Sequence, residues 1–519
     1  MDYLDVLYRT GSPRFVLVRH EQVAAHMALG YAELTNRPAI VLVSRAPGAS
    51  NAVIGVEAAF AEGTPLVLVS AQVASTTRGL GAFQEIDLES LFRPITKMSV
   101  TASAPERVPE LMEEALRVAT SGRPGPVHVA VPLDFPSQQV QARSTAPSVS
   151  GGATAPPAGA LAEVAALLAG SERPAIIAGG GVTKAGAAER VLDLADLLGA
   201  AVANSWEKKA VREDHPLAVG NIGRGGSGAS AAVLHEADVV LALGVRFSER
   251  ATDDYRMRLG PQQRLVHVDL DPACIGRVLP AAIGIAADAG ATVEALLELL
   301  DRGGGRPEWR RRIAEHRRAW LQRIDAVDWD ADPIVAARVV RELRAVLDEN
   351  AVVCSDSGNF NYWLQRYFPA TAHGAYVYPA ASGPMGCGLP AAMGVKVAFP
   401  ERQVVAVAGD GGFAMTMQDL ETCVRERIGV VAVVINNFAY ANIKIRQQRA
   451  FGNRLIGCEL GNPDFAAVAR LFGAHGETVT SPGEIRPALD RAFAAEVAAV
   501  VDVHVDPNEI CTATLDPWW

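Results

Sequence analysis

The sequence has few cysteines, no long apolar run and no strongly basic segment. No apolar run approaches the roughly 18 residues that a membrane-spanning helix needs, and the first residues lack the basic and apolar regions of a signal peptide. The sequence therefore predicts a cytoplasmic protein without membrane contact. The cysteines lie far apart without C-x-x-C spacing, which indicates neither a disulfide framework nor a zinc site; they are Cys274, Cys354, Cys387, Cys423, Cys458 and Cys511.

The charge balance also excludes a class of partner. The net charge is −10 and there is no run of lysine or arginine, so nucleic acid is not an expected ligand. Apolar residues make up 49% and charged residues 20% of the chain, which is typical of a soluble globular protein. The 519 residues allow three domains if each takes roughly 150.

Short apolar runs alternate with helical segments along the whole chain. Such alternation is typical of βαβ units with a parallel sheet. It predicts an α/β fold with three doubly wound parallel-sheet domains, at residues 1–137, 161–301 and 332–519, joined by a linker at 138–160 and an amphipathic connecting helix at 306–325. The predicted strands lie at 15–18, 40–43, 65–69, 125–132, 174–178, 201–203, 238–243, 265–269, 283–288, 351–354, 404–408 and 430–435.

Two neighbouring strands of the last domain end in groups that could bind a metal. The strand at 404–408 runs into GDGG at 409–412, and the strand at 430–435 runs into Asn436-Asn437. The carboxyl ends of adjacent parallel strands converge on one crevice, where glycines let backbone N–H groups approach an anion such as a diphosphate. A carboxylate, an amide oxygen and a carbonyl suit magnesium better than zinc. A strand followed by Gly-Asp-Gly is also common at ordinary strand-to-helix turns.

The combined motifs go beyond such a turn. Gly-Asp-Gly, 24 intervening residues and Asn-Asn resemble the thiamine diphosphate signature. With HEQ at 20–22, AFQE at 82–85, TK at 96–97 and GPM at 383–385, nearly the whole chain is similar to the acetolactate synthase family. The family pattern S-G-P-G-A-T-N is present at 45–51, with Arg45-Ala46 in place of Ser-Gly.

The resemblance implies thiamine diphosphate and Mg²⁺ as cofactors, with Asp410, Asn437 and the carbonyl of Ala439 as the metal set. It places the Glu21 carboxyl group against N1′ of the aminopyrimidine, which lets the 4′-imino tautomer form and take the proton from C2. The alternative for Glu21 is a carboxylate favoured by a helix dipole. Met385 would wedge under the ring junction, unless it is core filler. The further implied cofactor contacts are Pro47, Asn51, Gly358, Asn359, Gly383, Gly409, Gly411 and Gly412.

For the middle domain, the resemblance implies an FAD site. The glycine triplet at 179–181 is not a G-x-G-x-x-G motif, so the residues alone are weak evidence for a dinucleotide. Relatives carry FAD, ADP or nothing there, and these alternatives stay open; the flavin has no redox role in the family's main reaction. The implied contacts are Gly180, Gly181, Arg246, Asp269 and Asp288.

On the substrate side, the resemblance implies Phe83, Gln84, Lys97 and Arg250, the last matching the family's arginine for the acceptor carboxylate. Asn442 and Arg446 stand where the family has the Met and Trp that shape an alkyl pocket. If the segment is helical, they share one face. An arginine offers a fork of donors to an oxyanion, unless Arg446 turns outward to a surface carboxylate.

The activity implied is decarboxylation of a 2-oxoacid and ligation of the acyl group to a second carbonyl, with acetolactate synthase as the nearest named activity. The alternatives are a simple decarboxylase or lyase of the same fold, and a catalytically silent cofactor-binding subunit. In the family the pyrimidine and diphosphate sides meet across two subunits, which predicts a homodimer or homotetramer. A helix, a strand and a Gly-rich loop precede, in the family, the segment that starts here at Met1.

Overall fold

Three parallel sheets flanked by helices form the protein. The computed structural model describes residues 2–141, 153–206, 208–301 and 305–509. Every strand pairing within the three sheets is parallel, and each sheet lies within one of the three predicted domain ranges, so the predicted α/β class is confirmed. Most of the predicted linker and Cys511 lie outside the described residues; the other five cysteines are buried and free. No helix formed by the described residues combines the length and apolar character needed to cross a membrane.

The first sheet has the strand order β1-β2-β4-β3. Its two most buried strands, β2 and β4, match predicted apolar runs, whereas β3 was not predicted, and small residues on its helices allow close packing. The strands are β1 (Ala39–Val43), β2 (Leu66–Gln72), β3 (Ser99–Thr101) and β4 (Pro126–Pro132), and the helices are α1 (Asp2–Thr10), α2 (Glu21–Thr35), α3 (Ala46–Glu62), α4 (Leu88–Phe92) and α5 (Arg107–Thr120).

The middle sheet has the order β10-β9-β8-β5-β6-β7. Its strands are β5 (Pro174–Ala178), β6 (Ala201–Asn204), β7 (Ala218–Asn221), β8 (Val239–Leu243), β9 (Arg264–Asp269) and β10 (Ile283–Ala286). Its helices are α6 (Ala158–Gly170), α7 (Gly180–Lys184), α8 (Ala188–Leu198), α9 (Gly228–Glu236) and α10 (Ala289–Leu299), and the connecting helix is α11 (Pro307–Asp325).

The third sheet has the order β12-β11-β13-β14-β16-β15. Its strands are β11 (Val352–Ser355), β12 (Tyr376–Val377), β13 (Val404–Gly409), β14 (Val431–Asn436), β15 (His475–Val479) and β16 (Ala499–His504). Its helices are α12 (Ala336–Val346), α13 (Asn361–Tyr367), α14 (Gly388–Ala398), α15 (Asp410–Phe413), α16 (Leu420–Arg425), α17 (Ala441–Ala450), α18 (Phe465–Leu471) and α19 (Ile485–Ala494).

One predicted strand, at 15–18, is wrong. The segment pairs with no strand among the described residues, because side chains of the third domain take its backbone groups. The N–H of Arg19 donates to Asp419 Oδ1 at 2.9 Å, and the carbonyl of Leu17 accepts from Arg425 of α16. Val16 and Val18 pack on the core of the third domain. Glu21 therefore follows an extended segment rather than a strand, and it begins α2.

Helices α2 and α14 join the first domain to the third by a backbone-to-backbone contact. A Cβ added at Gly30 would lie 2.3 Å from the Ala391 carbonyl oxygen, and one added at Gly394 would lie 1.9 Å from the Met27 carbonyl oxygen. Only glycine lets the two helices approach so closely. The crossing fixes the position of α2, and with it the position of Glu21.

A buried charge cluster joins all three domains. Lys208 Nζ lies 2.5 Å from Glu33 Oε1 and 3.2 Å from Glu62 Oε2, so one middle-domain cation pairs with two first-domain carboxylates. Burial would raise the pKa of Glu33, but Lys208 and Lys184 outweigh it and lower the pKa to about 2. The other oxygen of Glu62 accepts the N–H of Ala381 in the third domain at 2.7 Å.

Two buried histidines should make the first domain acid-sensitive. Burial lowers the pKa of His26 and of His128 to about 4. An unfolded histidine has a pKa near 6.5, so between pH 6.5 and 4 the unfolded chain binds more protons and stability falls as the pH falls. Each histidine should cost about 2 kcal/mol at pH 5 relative to neutral pH.

The measurement is urea unfolding at pH 7 and pH 5, with the wild type and with His26→Leu. The variant should lose less stability between the two pH values than the wild type, because Leu does not titrate. An equal loss in both proteins would contradict this account of His26.

Candidate active site

The predicted metal-binding groups lie together at the carboxyl ends of β13 and β14. These strands pair with Gly409 opposite Ile435, which places Asp410 and Asn437 just beyond neighbouring ends. The Asn437 side-chain oxygen accepts the N–H of Ala439 at 3.3 Å, so the third predicted ligand is adjacent. Burial raises the pKa of Asp410 in spite of the hydrogen bonds it accepts. A buried carboxylate of this kind favours a bound cation.

Asn462, which the sequence alone did not indicate, bridges the two strand ends. Its amide group donates to Asp410 Oδ2 at 2.7 Å and to Asn436 Oδ1 at 3.0 Å. The described residues contain no group of three or more His, Cys, Asp or Glu side chains that could hold a metal. A cation at this edge would therefore depend on one carboxylate supplemented by amide and carbonyl oxygens, which suits Mg²⁺.

Asp356, also not indicated by the sequence, ties the neighbouring loops together. Its buried carboxylate accepts the N–H groups of Ser357 at 2.6 Å, Gly386 at 2.9 Å and Gly388 at 3.0 Å. Burial raises its pKa to about 6 against these donors. A Cβ added at Gly412 would lie 2.8 Å from Asp356 Oδ1, so the GDGG turn packs directly on this carboxylate.

The space around these turns fits a polar ligand. The side-chain oxygen of Asn359 is buried, and no group of the described residues satisfies it. Such an orphaned polar atom normally has a partner. Gly383 has a φ of +65°, a conformation that glycine adopts without strain, and Met385 follows it half-buried. The predicted cofactor residues of the third domain therefore form one region; they are Gly358, Asn359, Gly383, Met385, Gly409, Asp410, Gly411, Gly412 and Asn437.

The predicted pyrimidine-side residues form a second region, on the first domain. Glu21 Oε2 accepts the amide of Asn51 at 2.9 Å, and a Cβ added at Gly48 would lie 2.8 Å from Glu21 Oε1. Pro47 lies in the same first turn of α3. In the described part of the single chain, Glu21 makes no hydrogen bond to the third-domain residues named above.

Phe83 and Gln84 lie in a loop that the Glu85 carboxylate shapes. That carboxylate accepts the N–H groups of Gly79 at 2.5 Å and Ala82 at 3.0 Å. Gln84 has a φ of +64°, and the ring of Phe83 is 75% exposed. The loop therefore holds Phe83 at the surface with a fixed backbone.

Lys97 is placed apart from this loop. Its ammonium group donates to the carbonyls of Val118 and Ser121 at the end of α5, where cations are favoured. Burial and the nearby Arg123 lower its pKa. These contacts are those of a structural lysine, and the substrate-side role that the resemblance implies for Lys97 stays a prediction.

Arg250, Asn442 and Arg446 are not brought into contact with the loop of Phe83 in the single chain. Arg250 is half-buried in the loop after β8. Asn442 and Arg446 are exposed, four residues apart on α17, as the sequence predicts. Arg446 makes no ion pair with any carboxylate of the described residues, which does not support the alternative of a surface partner.

The five predicted nucleotide contacts line one cavity of about 570 Å³, whose wall combines middle-domain residues with first-domain residues such as Glu62 and Arg123. Its wall includes Gly180, Gly181, Arg246, Asp269 and Asp288, together with the cations Arg123, Lys184 and Lys208. Gly181 packs against Gly244, since an added Cβ would lie 2.7 Å from the Gly244 Cα. Burial raises the pKa of Asp269, and Asp288 caps α10 by accepting the N–H of Ala291 at 2.9 Å.

Comparison with known families matches all three domains. The models that match describe the thiamine pyrophosphate enzyme N-terminal TPP binding domain (residues 1–91), central domain (161–296) and C-terminal TPP binding domain (356–503). The matched ranges contain Glu21, the five predicted nucleotide contacts and the ends of β13 and β14, respectively. The residues that the sequence predicts for each region therefore fall in the corresponding family domain.

Individual relatives agree with this assignment over almost the whole chain. The probable acetolactate synthase large subunit of Methanocaldococcus jannaschii is 34% identical, over 98% of this chain and 88% of its own length. The acetolactate synthase isozyme 3 large subunit of Escherichia coli is 31% identical, over 100% and 94%. The acetolactate synthase large subunit of Haemophilus influenzae is 32% identical, over 98% and 90%. Family domains, relatives and site geometry agree, and the chain belongs to the thiamine diphosphate-dependent enzymes of the acetolactate synthase large-subunit family.

Proposed function

We propose that this protein decarboxylates a 2-oxoacid and ligates the acyl group to a second carbonyl compound. The observation that supports this most is the Glu21 carboxylate of the first domain, which Asn51 orients through a hydrogen bond of 2.9 Å. A silent cofactor-binding subunit has no need of an oriented acid at this position. The remaining groups of the two regions fit binding and orientation of the cofactor and substrates.

Thiamine diphosphate would be held by the third domain through a magnesium ion. Asp410, Asn437 and the Ala439 carbonyl supply oxygen ligands to the ion, and the glycine turns admit the diphosphate. Asn462 keeps Asp410 oriented through its 2.7 Å hydrogen bond. The bound cofactor supplies the carbanion-stabilising chemistry, while the protein supplies orientation and electrostatics. Glu21 exchanges the proton at N1′ of the aminopyrimidine.

The acceptor pocket would be more polar than that of a typical acetolactate synthase. Arg250 and the loop of Phe83 and Gln84 contribute to the substrate side. The exposed face of Asn442 and Arg446 offers an amide and an unpaired guanidinium where the family pattern has apolar side chains. An alkyl 2-oxoacid gains little from such a face, whereas a carboxylate or phosphate gains charge-assisted hydrogen bonds.

The active unit would be a cytoplasmic homodimer or homotetramer. Glu21 and the predicted metal ligands form separate regions in one chain, so a second copy would complete each site. Large apolar side chains are exposed around these regions, among them Leu80 at 79%, Phe83 at 75% and Ile456 at 81%. Such exposure is typical of a protein interface. The free, buried cysteines of the described residues fit a reducing compartment.

FAD is proposed as the ligand of the middle cavity. The cations on its wall suit phosphate groups, and the cavity falls within the range of about 300 to 1,000 Å³ that small-molecule sites span. Flavin absorbance after purification and FAD soaking, unchanged in amplitude during turnover, would support this. A colourless protein after the same treatment would contradict occupancy by FAD.

The full-length protein, with thiamine diphosphate and Mg²⁺, should be assayed against 2-oxoacids singly and in pairs. Release of CO₂ with a ligated hydroxyketone product, identified by mass spectrometry, is expected. An aldehyde as the only product would indicate simple decarboxylation instead of carboligation. If no 2-oxoacid released CO₂, the result would favour the alternative of a catalytically silent subunit. Ordinary acetolactate formation from pyruvate, with the same substrate ranking in Arg446→Trp, would contradict the polar pocket.

A further inference from the structure

Arg45 occupies a position where the family pattern has serine. It follows β1 by two residues and is the N-cap residue of α3. The ends of β1 and β2 lie side by side, because Val43 pairs with Ser70, and the loop of Phe83 follows β2. In a parallel sheet this edge is where ligands bind. A long cation is therefore present at the binding edge of the first domain.

The side chain of Arg45 reaches across this edge to the loop of Phe83. Its Nη1 donates to the Phe83 carbonyl at 3.1 Å, and its guanidinium carbon lies 5.5 Å from the centre of the Phe83 ring. The two contacts restrain the guanidinium group. Because the backbone of the loop is itself held by Glu85, the guanidinium has a defined place beside Phe83.

Arg45 and the neighbour of Glu21 belong to the same helix start. Arg45 is the N-cap residue of α3, three positions before Gly48 in the first turn. Gly48 is the residue that packs on the Glu21 carboxylate, at 2.8 Å from an added Cβ. The start of α3 therefore contacts Glu21 through Gly48 and the loop of Phe83 through Arg45.

The charge of Arg45 is not neutralised by the described chain. No Asp or Glu of the described residues forms an ion pair with it, whereas Arg78 in the same loop region pairs with Glu89 at 3.7 Å. Its contact with a carbonyl uses one donor of five. A restrained, half-buried guanidinium with unused donors is suited to an oxyanion.

We propose that Arg45 is a specificity-determining residue that binds an oxyanion group of the acceptor, distal to its reacting carbonyl. The acceptor class is then a dianionic carbonyl compound, such as a dicarboxylic 2-oxoacid, in which Arg250 is left to bind the carboxylate next to the carbonyl. An alkyl chain at this place would desolvate the guanidinium without pairing it. This proposal rests on the proposed carboligation and specifies the class of acceptor for that reaction.

The test is a competition between two acceptors of equal chain length, 2-oxoglutarate and 2-oxopentanoate, which differ by one terminal carboxylate. With the donor found in the 2-oxoacid assay, mass spectrometry gives the ratio of the two ligation products. The wild type should favour the 2-oxoglutarate product, and Arg45→Ser should lower the ratio by about 10- to 100-fold, as loss of a charge-assisted hydrogen bond predicts.

Two further variants distinguish the positive charge of Arg45 from its hydrogen bond to the loop of Phe83. Arg45→Gln keeps a donor for the Phe83 carbonyl but lacks charge, so it should lower the ratio as Arg45→Ser does. Arg45→Lys keeps the charge and should retain part of the preference. Arg117→Ser, which removes an exposed arginine from α5, should leave the ratio unchanged. A purely structural Arg45 would change both products equally in every variant.

Release of CO₂ from the donor alone reports the proposed function separately. If the wild type releases CO₂ but prefers 2-oxopentanoate, or if Arg45→Ser and Arg45→Gln both keep the wild-type ratio, the role of Arg45 is wrong while the proposed decarboxylation stands. If no acceptor is ligated, the inference fails together with carboligation. An absence of CO₂ release contradicts the proposed function itself.

Discussion

Replacing Glu21 by Gln is expected to lower turnover by about 10²- to 10⁴-fold, the usual cost of losing a general acid–base. Gln has the shape of Glu and can keep the contact with Asn51, but it cannot exchange a proton at N1′ of the cofactor. Binding of thiamine diphosphate and Mg²⁺ should change little, because the metal-binding groups lie on the third domain. Turnover, cofactor affinity by calorimetry and proton exchange at C2 by NMR are the measurements.

Glu106→Gln is the matched control, since Glu106 is an exposed carboxylate of the same domain away from Asn51. It should retain wild-type turnover and exchange. If Glu21→Gln turned over at nearly the wild-type rate, the assignment of Glu21 would be wrong. If it lost cofactor binding as well as turnover, Glu21 would have a role in holding the site together.

Replacing Gly394 by Val should abolish active, soluble protein. The added Cβ would lie 1.9 Å from the Met27 carbonyl oxygen, a backbone atom that no rotamer change can move. Overpacking in cores typically costs about 1 to 3 kcal/mol even where side chains adjust, and here two helices would have to separate. Because α2 begins with Glu21, their separation would also displace the carboxylate that we propose for proton exchange.

Gly159→Val is the control, because Gly159 also lies in a helix but an added Cβ meets nothing within 4 Å. The two variants should differ in soluble yield, thermal unfolding temperature and turnover, with Gly159→Val close to the wild type in all three. Wild-type stability in Gly394→Val would show that α2 and α14 do not pack as described. Gly30→Val, on the other side of the crossing, should reproduce the defect.

The convergence of Asp410 and Asn437 could be predicted because both residues follow directly from strand ends. Once 404–408 and 430–435 are neighbouring parallel strands, Asp410 and Asn437 must converge, whatever the loops do. The strand-end reasoning failed for Glu21, whose role came from the family resemblance. Nothing in residues 15–18 reveals that their backbone binds side chains of the third domain instead of a neighbouring strand. An apolar run predicts that a segment is buried, but it does not predict which groups form hydrogen bonds with the backbone of that segment.

A second limit of prediction from the sequence concerns residues whose partners lie far away in the chain. It applies to Asn462, Asp356 and Lys97. Asn462 contacts Asp410 across 52 positions, and Asp356 contacts the N–H groups of Gly386 and Gly388 across about thirty positions, so neither forms a local pattern. Lys97 has the family position expected of a substrate residue, yet its partners are carbonyls that become available only where α5 ends. Such roles depend on tertiary geometry rather than on residue type and spacing.

The crossing of α2 and α14 has a consequence for the order in which the chain folds. The two helices are separated by the whole middle domain, so the face of α2 that packs on α14 has no partner until more than two thirds of the polypeptide has been synthesised. Contacts between distant segments slow folding, and exposed apolar surface on the waiting segment promotes aggregation. During synthesis, the first domain should therefore remain incomplete and depend on protection until α14 has emerged from the ribosome.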